Sequence, residues 1–134
     1  MSRWLLDSSA LLILLRAESD ADRVQEVISE AAEILIASIS IAEISRRAKE
    51  LGANPSEIFE MNEHCKALAT RFIDVTVAIA ERSFALSSSA GKRLPLVDAL
   101  IGACAAQEKA CLLHRDQHFT SIPSDLLRQE LLES

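Results

Sequence analysis

Short apolar runs alternate along this chain with longer stretches of helical periodicity. Four runs predict buried strands at residues 4–6, 34–37, 72–75 and 110–113. Between the runs, apolar side chains recur every three or four residues, as they do on one face of a helix. This alternation indicates right-handed βαβ units. We therefore expect one α/β domain over residues 1–134, a three-layer α/β/α sandwich with a mostly parallel central sheet of four to five strands.

The start, inward face and end of the helix after the third apolar run can all be predicted from the sequence. Thr76 is a suitable N-cap for this helix, because its hydroxyl can accept from a free backbone N–H in the first turn. Val77, Ala80 and Phe84 follow helical spacing and are expected to face inward. Residues 87–93 are polar and basic, and they predict the loop in which the helix ends.

Two other segments leave alternatives open. Either Ser38 or Ser40 is suitable to cap the helix after the second apolar run. After Pro123, leucines occur at positions 126, 127, 131 and 132, and this spacing is compatible with a final strand or a final helix.

One carboxylate interrupts the most apolar stretch of the chain, residues 94–105. This stretch predicts a helix that begins near Pro95 and is buried on both faces. Asp98, near its start, shares a face with Ile101, Gly102 and Ala105. A carboxylate removed from water needs a partner, since an unpaired one costs several kcal/mol or becomes neutral. The partner is either a buried arginine or a metal ion.

Three further acids occupy places comparable with that of Asp98. Asp7 and Asp116 come just after the first and fourth apolar runs, and Glu43 lies in the first turns of the helix after the second run. In an open parallel sheet, the carboxyl ends of the strands and the starts of the helices share one edge, where ligands bind. Four clustered carboxylates repel each other unless a cation is present, and Mg²⁺ or Mn²⁺ suits such oxygen ligands. One or two ions could clamp a phosphate and activate water.

Each acid taken alone has a simpler interpretation. Asp7 and Asp116 could serve only as helix caps, and Glu43 could pair with Arg47 one turn later. The catalytic hypothesis therefore depends on all four acids meeting in space.

Composition restricts the surroundings of such a site. The net charge of −6 argues against a large basic nucleic-acid surface, although it permits a local basic rim. Lys92, Arg93, Arg115 and Arg46 are the candidates for binding the phosphates of a nucleic acid, because they lie near the acids in sequence. The pattern Cys111-x2-His114-x3-His118 resembles zinc ligands only loosely, since no fourth ligand is near.

The expected location follows from the cysteines and the apolar runs. Three cysteines without a CxxC pattern suggest buried, reduced thiols. Asp7 interrupts the first apolar run, which argues against a signal peptide. The next run, residues 10–15, is too short to cross a bilayer. We expect a cytoplasmic protein without a membrane span.

Four short motifs, in their order and spacing, resemble those of PIN-domain ribonucleases, and especially of VapC-type toxins from toxin–antitoxin pairs. They are LLDSSALL at residues 5–12, SIAEI at 40–44, LPLVDALI at 94–101 and RDQHF at 115–119. The resemblance covers nearly the whole chain.

This resemblance implies a metal-dependent endoribonuclease, restrained by an antitoxin. The acids matching Asp7, Asp98 and Asp116 bind Mg²⁺ or Mn²⁺ in that family, and the acid matching Glu43 completes the site. The hydroxyl matching Ser9 supports the acids by hydrogen bonding. Family members usually dimerise, and an antitoxin helix lies over the first helices. That partner would suit the apolar helix from Leu11 to Leu15, one face of which is expected to meet a second chain.

Two positions depart from the family pattern. A Thr or Ser commonly stands where this chain has His114, and an acid often stands where it has His118. A ring nitrogen of His114 would have to replace the hydroxyl in orienting a carboxylate.

Two other functions compete with the nuclease. The chain could be a catalytically silent PIN-fold module that acts through protein partners, although its four intact acids argue against this. A phosphate-handling domain of the receiver type needs paired acids after the first strand and an acceptor after the third. Here Asp7 stands alone, and Asp74 is expected inside the third strand.

Overall fold

A parallel sheet of five strands forms the centre of the computed structural model, which describes residues 2–133. Six α-helices and one short 3₁₀ helix accompany the strands in this part of the chain. In chain order the elements are β1 (Arg3–Leu6), α1 (Ser8–Leu15), α2 (Ala21–Glu30), β2 (Glu33–Ala37), α3 (Ser38–Glu50), α4 (Pro55–Leu68), β3 (Arg71–Ile73), α5 (Val77–Ser89), α6 (Leu96–Gln107), β4 (Cys111–His114), the 3₁₀ helix (Gln117–Ser121) and β5 (Gln129–Leu131).

The strand order is β3-β2-β1-β4-β5, with β1 at the centre, and every neighbouring pair is parallel. In the register of the sheet, Leu5 pairs with Leu35 of β2 and with Leu112 of β4. The segment after Pro123 is settled as a strand, because Gln129 pairs with Leu112 at the edge of the sheet. The predicted α/β class with a parallel sheet is confirmed.

Each face of the sheet has its own core. Leu5, Leu35 and Leu112 point to one face, where they pack with α5 and α6. Their neighbours Leu6 and Leu113 point to the other face, where they pack with α1 to α4. Side chains alternate along a strand, so strands covered on both faces must be apolar at nearly every position. This requirement explains why the strands of the core appeared as continuous apolar runs.

The predicted inward face of α5 is wrong. Val77 and Phe84 are 78% and 76% exposed, and the buried positions are Ile79, Ser83 and Leu86. Both sets follow helical spacing, and α5 is apolar on both sides, so periodicity alone could not choose between them. Thr76 does cap this helix, its hydroxyl oxygen accepting from the backbone N–H of Ile79 at 3.2 Å.

Three boundaries also differ from prediction. Neither Ser38 nor Ser40 caps α3, because the helix follows β2 without a linker and Ala37 occupies the cap position. Helix α5 continues to Ser89, which shortens the predicted polar loop. Strand β3 ends at Ile73, so Asp74 lies beyond the strand rather than inside it. The strand order still differs from the 2-1-3-4-5 order of receiver-like domains.

No helix within residues 2–133 is long and apolar enough to cross a membrane. The three cysteines are unpaired thiols, of which Cys65 and Cys104 are buried. Burial raises the pKa of both of these thiols to about 11.

Candidate metal centre

Asp7 occupies the junction between β1 and α1, at the centre of the sheet. Its Oδ1 accepts hydrogen bonds from the backbone N–H of Ala10 at 2.9 Å and from the Ser9 hydroxyl at 2.6 Å. The residue is only 3% exposed. Asp7 is therefore a helix cap, as its simpler interpretation proposed, and it is also a buried acid at the carboxyl edge of the sheet.

Asp98 lies in the first turn of α6, which Pro95 precedes as the N-cap. Its side chain is 16% exposed, and its Oδ2 lies 3.0 Å from Nδ1 of His118. Asp116 follows β4 and caps the 3₁₀ helix, its Oδ1 accepting from the backbone N–H of His118 at 2.9 Å. Ligand atoms of Asp98, Asp116 and His118 all lie within 4.8 Å of one another.

Glu43 lies near the start of α3 and is half-buried. It accepts a hydrogen bond from the hydroxyl of Ser8, the residue that follows Asp7. Glu43 is close enough to the other acids for its negative charge to raise the pKa of Asp98. Within residues 2–133 no ion pair joins Glu43 to Arg47, so the simple surface pairing is not formed there.

The electrostatics of these acids show that they share one site. The pKa of Asp7 is raised to about 7, mainly by burial and in smaller part by the charges of Asp116 and Asp98, while hydrogen bonds from Ser9 and Ala10 oppose the rise. The pKa of Asp98 is raised to about 6, again mainly by burial and in smaller part by the charge of Asp116. The hydrogen bond to Asp98 and the charge of Asp116 raise the pKa of His118. The cluster therefore holds excess negative charge in a poorly solvated place.

Ser9 and His114 hold the segment that carries Asp116. The Ser9 hydroxyl, which donates to Asp7, also accepts from the backbone N–H of Arg115 at 2.8 Å. The fully buried His114 ring accepts the backbone N–H of Asp116 at Nδ1, at 3.1 Å. Both residues thus brace the strand end beside the acids, and His114 does so through the backbone of Asp116, not by a hydrogen bond to a carboxylate.

The other ring nitrogen of His114 connects this segment to β5. Because Nδ1 accepts, Nε2 carries the proton and donates to Oε1 of Gln129 at 2.8 Å. The amide of Gln129 in turn donates to the carbonyl oxygen of Phe119 at 2.8 Å. Sequence reasoning missed Gln129, because nothing in the local pattern signals a partner that arrives on a later strand. Burial lowers the pKa of His114, which favours this neutral ring.

The four candidate RNA-binding residues have different surroundings. Arg46, Lys92 and Arg93 are exposed on α3 and in the segment before α6. Arg115 instead forms an ion pair with Glu18, with 2.9 Å between Nη2 and Oε1. Both ring nitrogens of His114 are engaged in hydrogen bonds, so the loose zinc pattern through Cys111 has no structural counterpart.

The donor set of this site fits a divalent cation. No arginine or lysine in residues 2–133 forms an ion pair with Asp7, Glu43, Asp98 or Asp116. The buried arginine that was the alternative partner of Asp98 is therefore not found there. Four clustered carboxylates, of which Asp7 is buried and the other three are half-buried, offer the oxygen ligands that Mg²⁺ and Mn²⁺ take in proteins.

Several solved structures with a similar fold are toxins or toxin–antitoxin complexes. The VapBC2 complex of Rickettsia felis, bound to a promoter DNA fragment, has a TM-score of 0.79 at 18% identity, over 98% of this chain and 99% of that chain. A toxin–antitoxin complex from Klebsiella pneumoniae has a TM-score of 0.67 at 28% identity, over 89% and 92%. VapC20 of Mycobacterium tuberculosis, a Sarcin-Ricin loop cleaving toxin, has a TM-score of 0.69 at 14% identity, over 87% and 92%.

The sequence itself matches a known family over most of its length. No curated protein matches it. The sequence profile of the PIN domain, however, matches residues 4–124, a span that contains all four acids. The chain belongs to the PIN-domain family.

Proposed function

We propose that this protein is a metal-dependent endoribonuclease and the toxin of a type II toxin–antitoxin pair. The observation that carries the proposal is the meeting of Asp7, Asp98 and Asp116, with Glu43 close by, at one sheet edge without a pairing arginine or lysine among the described residues. PIN-domain membership supports nuclease chemistry. RNA as the substrate is supported by the motif resemblance and by the similar fold of VapC20, a Sarcin-Ricin loop cleaving toxin.

The residues of the chain have distinct tasks in this proposal. Asp7, Asp98 and Asp116 hold Mg²⁺ or Mn²⁺, and Glu43 completes the site. The bound ion supplies Lewis-acid activation of water and neutralises charge on the phosphate. Ser9 and His114 keep the Asp116 segment in place. The exposed cations Arg46, Lys92 and Arg93 bind RNA phosphates, each with a modest, salt-dependent contribution.

Replacing Asp98 by asparagine tests the activity. We expect cleavage of a structured RNA in Mg²⁺ or Mn²⁺ to fall to background, because the variant loses a charged ligand while keeping the size of the side chain. The circular dichroism spectrum should not change. Asp74→Asn is the matched control, since Asp74 also follows a strand but is exposed. Undiminished cleavage by Asp98→Asn would overturn the proposal. A wild-type protein that is silent with metal present would favour the binding module instead.

The antitoxin would bind along a groove between α1, the end of α3, and α4. The groove encloses about 450 Å³ and is lined by Leu12, Leu15, Leu51 and Met61 among others. The fully buried side chains of α1 are Ala10, Leu11 and Ile13, whereas Leu12 and Leu15 are only partly buried and line this groove. An amphipathic helix is the usual occupant of such a surface. The acids Glu57 and Glu60 at the groove favour a partner helix that also carries lysine or arginine.

The resemblance also predicts a homodimer, and the cysteines and short apolar runs predict a cytoplasmic location; we retain both as proposals. Val77, Phe84 and Leu96 are large apolar side chains, each more than two-thirds exposed, on α5 and at the start of α6. An interface between two copies would cover side chains of this kind.

A further inference from the structure

His118 places a nitrogen donor inside a cluster of oxygen donors. Its Nδ1 lies 3.0 Å from Oδ2 of Asp98 and 3.0 Å from Oδ1 of Asp116. The two acids come from different parts of the chain, α6 and the segment after β4, and the ring lies against both. The structure thus has an imidazole where the motif pattern commonly has an acid.

Two of the distances among these three atoms are compatible with neighbouring ligands of one metal ion. Two neighbouring ligands of an octahedral ion with bonds of ~2.1 Å are separated by ~3.0 Å, which is the bond length multiplied by the square root of two. Both nitrogen–oxygen distances at His118 have this value. A divalent ion could therefore replace the hydrogen bonds at Nδ1 with little movement of the ring.

Hydrogen bonds hold the backbone at His118 beside Asp116. The backbone N–H of His118 donates to Oδ1 of Asp116, and Asp116 is itself held through the His114 ring. The His118 side chain remains 52% exposed. An ion can therefore reach Nδ1 from solvent, while the surrounding acids keep their places.

The chemistry of the donor determines which ion the cluster should prefer. Mg²⁺ takes oxygen ligands almost without exception, whereas imidazole nitrogen is a good ligand for divalent transition metals. We propose that His118 is a direct metal ligand through Nδ1, and that it makes this site prefer a transition metal such as Mn²⁺ over Mg²⁺. This inference rests on the proposed function, because it concerns the metal of the same site. Mn²⁺ is the lowest of these ions in the usual affinity order, so it is a demanding probe.

Mn²⁺ binding to the full chain, freed of metal with a chelator, tests the inference without measuring activity. Pulsed electron paramagnetic resonance should detect a directly bonded ¹⁴N in the wild-type complex, and this signal should vanish in His118→Gln. The same variant should bind Mn²⁺ at least tenfold more weakly. His118→Asp should bind Mg²⁺ more tightly than wild type does, and the ratio of its Mn²⁺ affinity to its Mg²⁺ affinity should be smaller. His64→Gln, an exposed histidine on α4, is the control and should behave like wild type.

Two results would overturn the inference in distinguishable ways. In the first, the wild type binds Mn²⁺ without a nitrogen signal and His118→Gln binds Mn²⁺ with unchanged affinity. This result would refute His118 as a ligand and leave the nuclease proposal standing. Failure of the wild type to bind millimolar Mn²⁺ or Mg²⁺ would refute the metal site itself, and with it the proposed function.

Discussion

Replacing Asp7 by asparagine should stabilise the metal-free protein, and the gain should grow as pH rises. Asp7 is 3% exposed and lies among other acids, so its ionised form is held at a cost. Asparagine keeps an oxygen that can accept from Ser9 and Ala10, so the cap of α1 should survive. The variant therefore removes the buried charge and little else.

The magnitude follows from proton linkage. The pKa of Asp7 rises from 3.8 to about 7 on folding. A raised carboxyl pKa means that the folded state holds its proton more tightly, so the penalty is absent below about pH 4 and complete above about pH 7. At about 1.4 kcal/mol per pKa unit, the full penalty is about 4 kcal/mol. The advantage of Asp7→Asn should then be larger at pH 8 than at pH 5 by between about 2 and 3 kcal/mol.

Urea denaturation of the wild type and the variant at pH 5 and pH 8, in a chelator, measures this difference directly. Titrating groups outside the acidic cluster contribute equally to both proteins and cancel. Asp74→Asn should show no such trend, since Asp74 is exposed. Adding Mn²⁺ should reverse the order, because an ion that binds the folded wild type stabilises it and the variant has lost a ligand.

This reasoning would be refuted if the free energies of unfolding of the two proteins changed in parallel with pH. If the free energies of unfolding of wild type and Asp7→Asn differ by the same amount at both pH values, then Asp7 is not held as a buried charge. The proposed need for a cation at the site would lose its physical basis.

Two further predictions concern the parts that surround the acids. His114→Ala should lower the free energy of unfolding by about 3 kcal/mol, because it leaves a cavity and unpaired polar groups on Asp116 and Gln129. A loss below about 1 kcal/mol in urea denaturation would contradict the role of His114 in holding the Asp116 segment. Met61→Glu should weaken binding of the cognate antitoxin at least tenfold in calorimetry, since it places a charge in the groove. Phe59→Ser changes an exposed position on the same helix and should leave the affinity for the antitoxin unchanged. If the two variants weaken binding equally, the groove is not the antitoxin site.

The placement of the four acids could be predicted because it depends on chain topology. Asp7 and Asp116 lie one and two residues after the ends of β1 and β4, whose apolar runs can be recognised in the sequence without knowledge of their partner strands. Parallel pairing then brings the carboxyl ends of these strands to one edge. Glu43 and Asp98, at the starts of α3 and α6, reach the same region for the same reason.

Other features depended on contacts that the local pattern does not contain. The buried face of α5 was predicted wrongly, because Ile79 and Val77 both lie on apolar stripes and only packing against α6 and the sheet distinguishes them. Strand β5 is three half-buried residues long, which is too short for periodicity to identify. It forms because β4 offers an edge for pairing.

By itself, the sequence determined the architecture and the edge of the sheet at which the acids lie. Strands buried on two faces appear as continuous apolar runs, and the order of strands and helices follows from the order of these runs along the chain. Only the tertiary structure decided which groups touch those acids. His118 meets Asp98 across twenty positions of the chain, and Gln129 reaches His114 across fifteen. Hydrogen bonds of this kind depend on distances of a few tenths of an ångström between elements, and such distances are set by packing rather than by any local pattern.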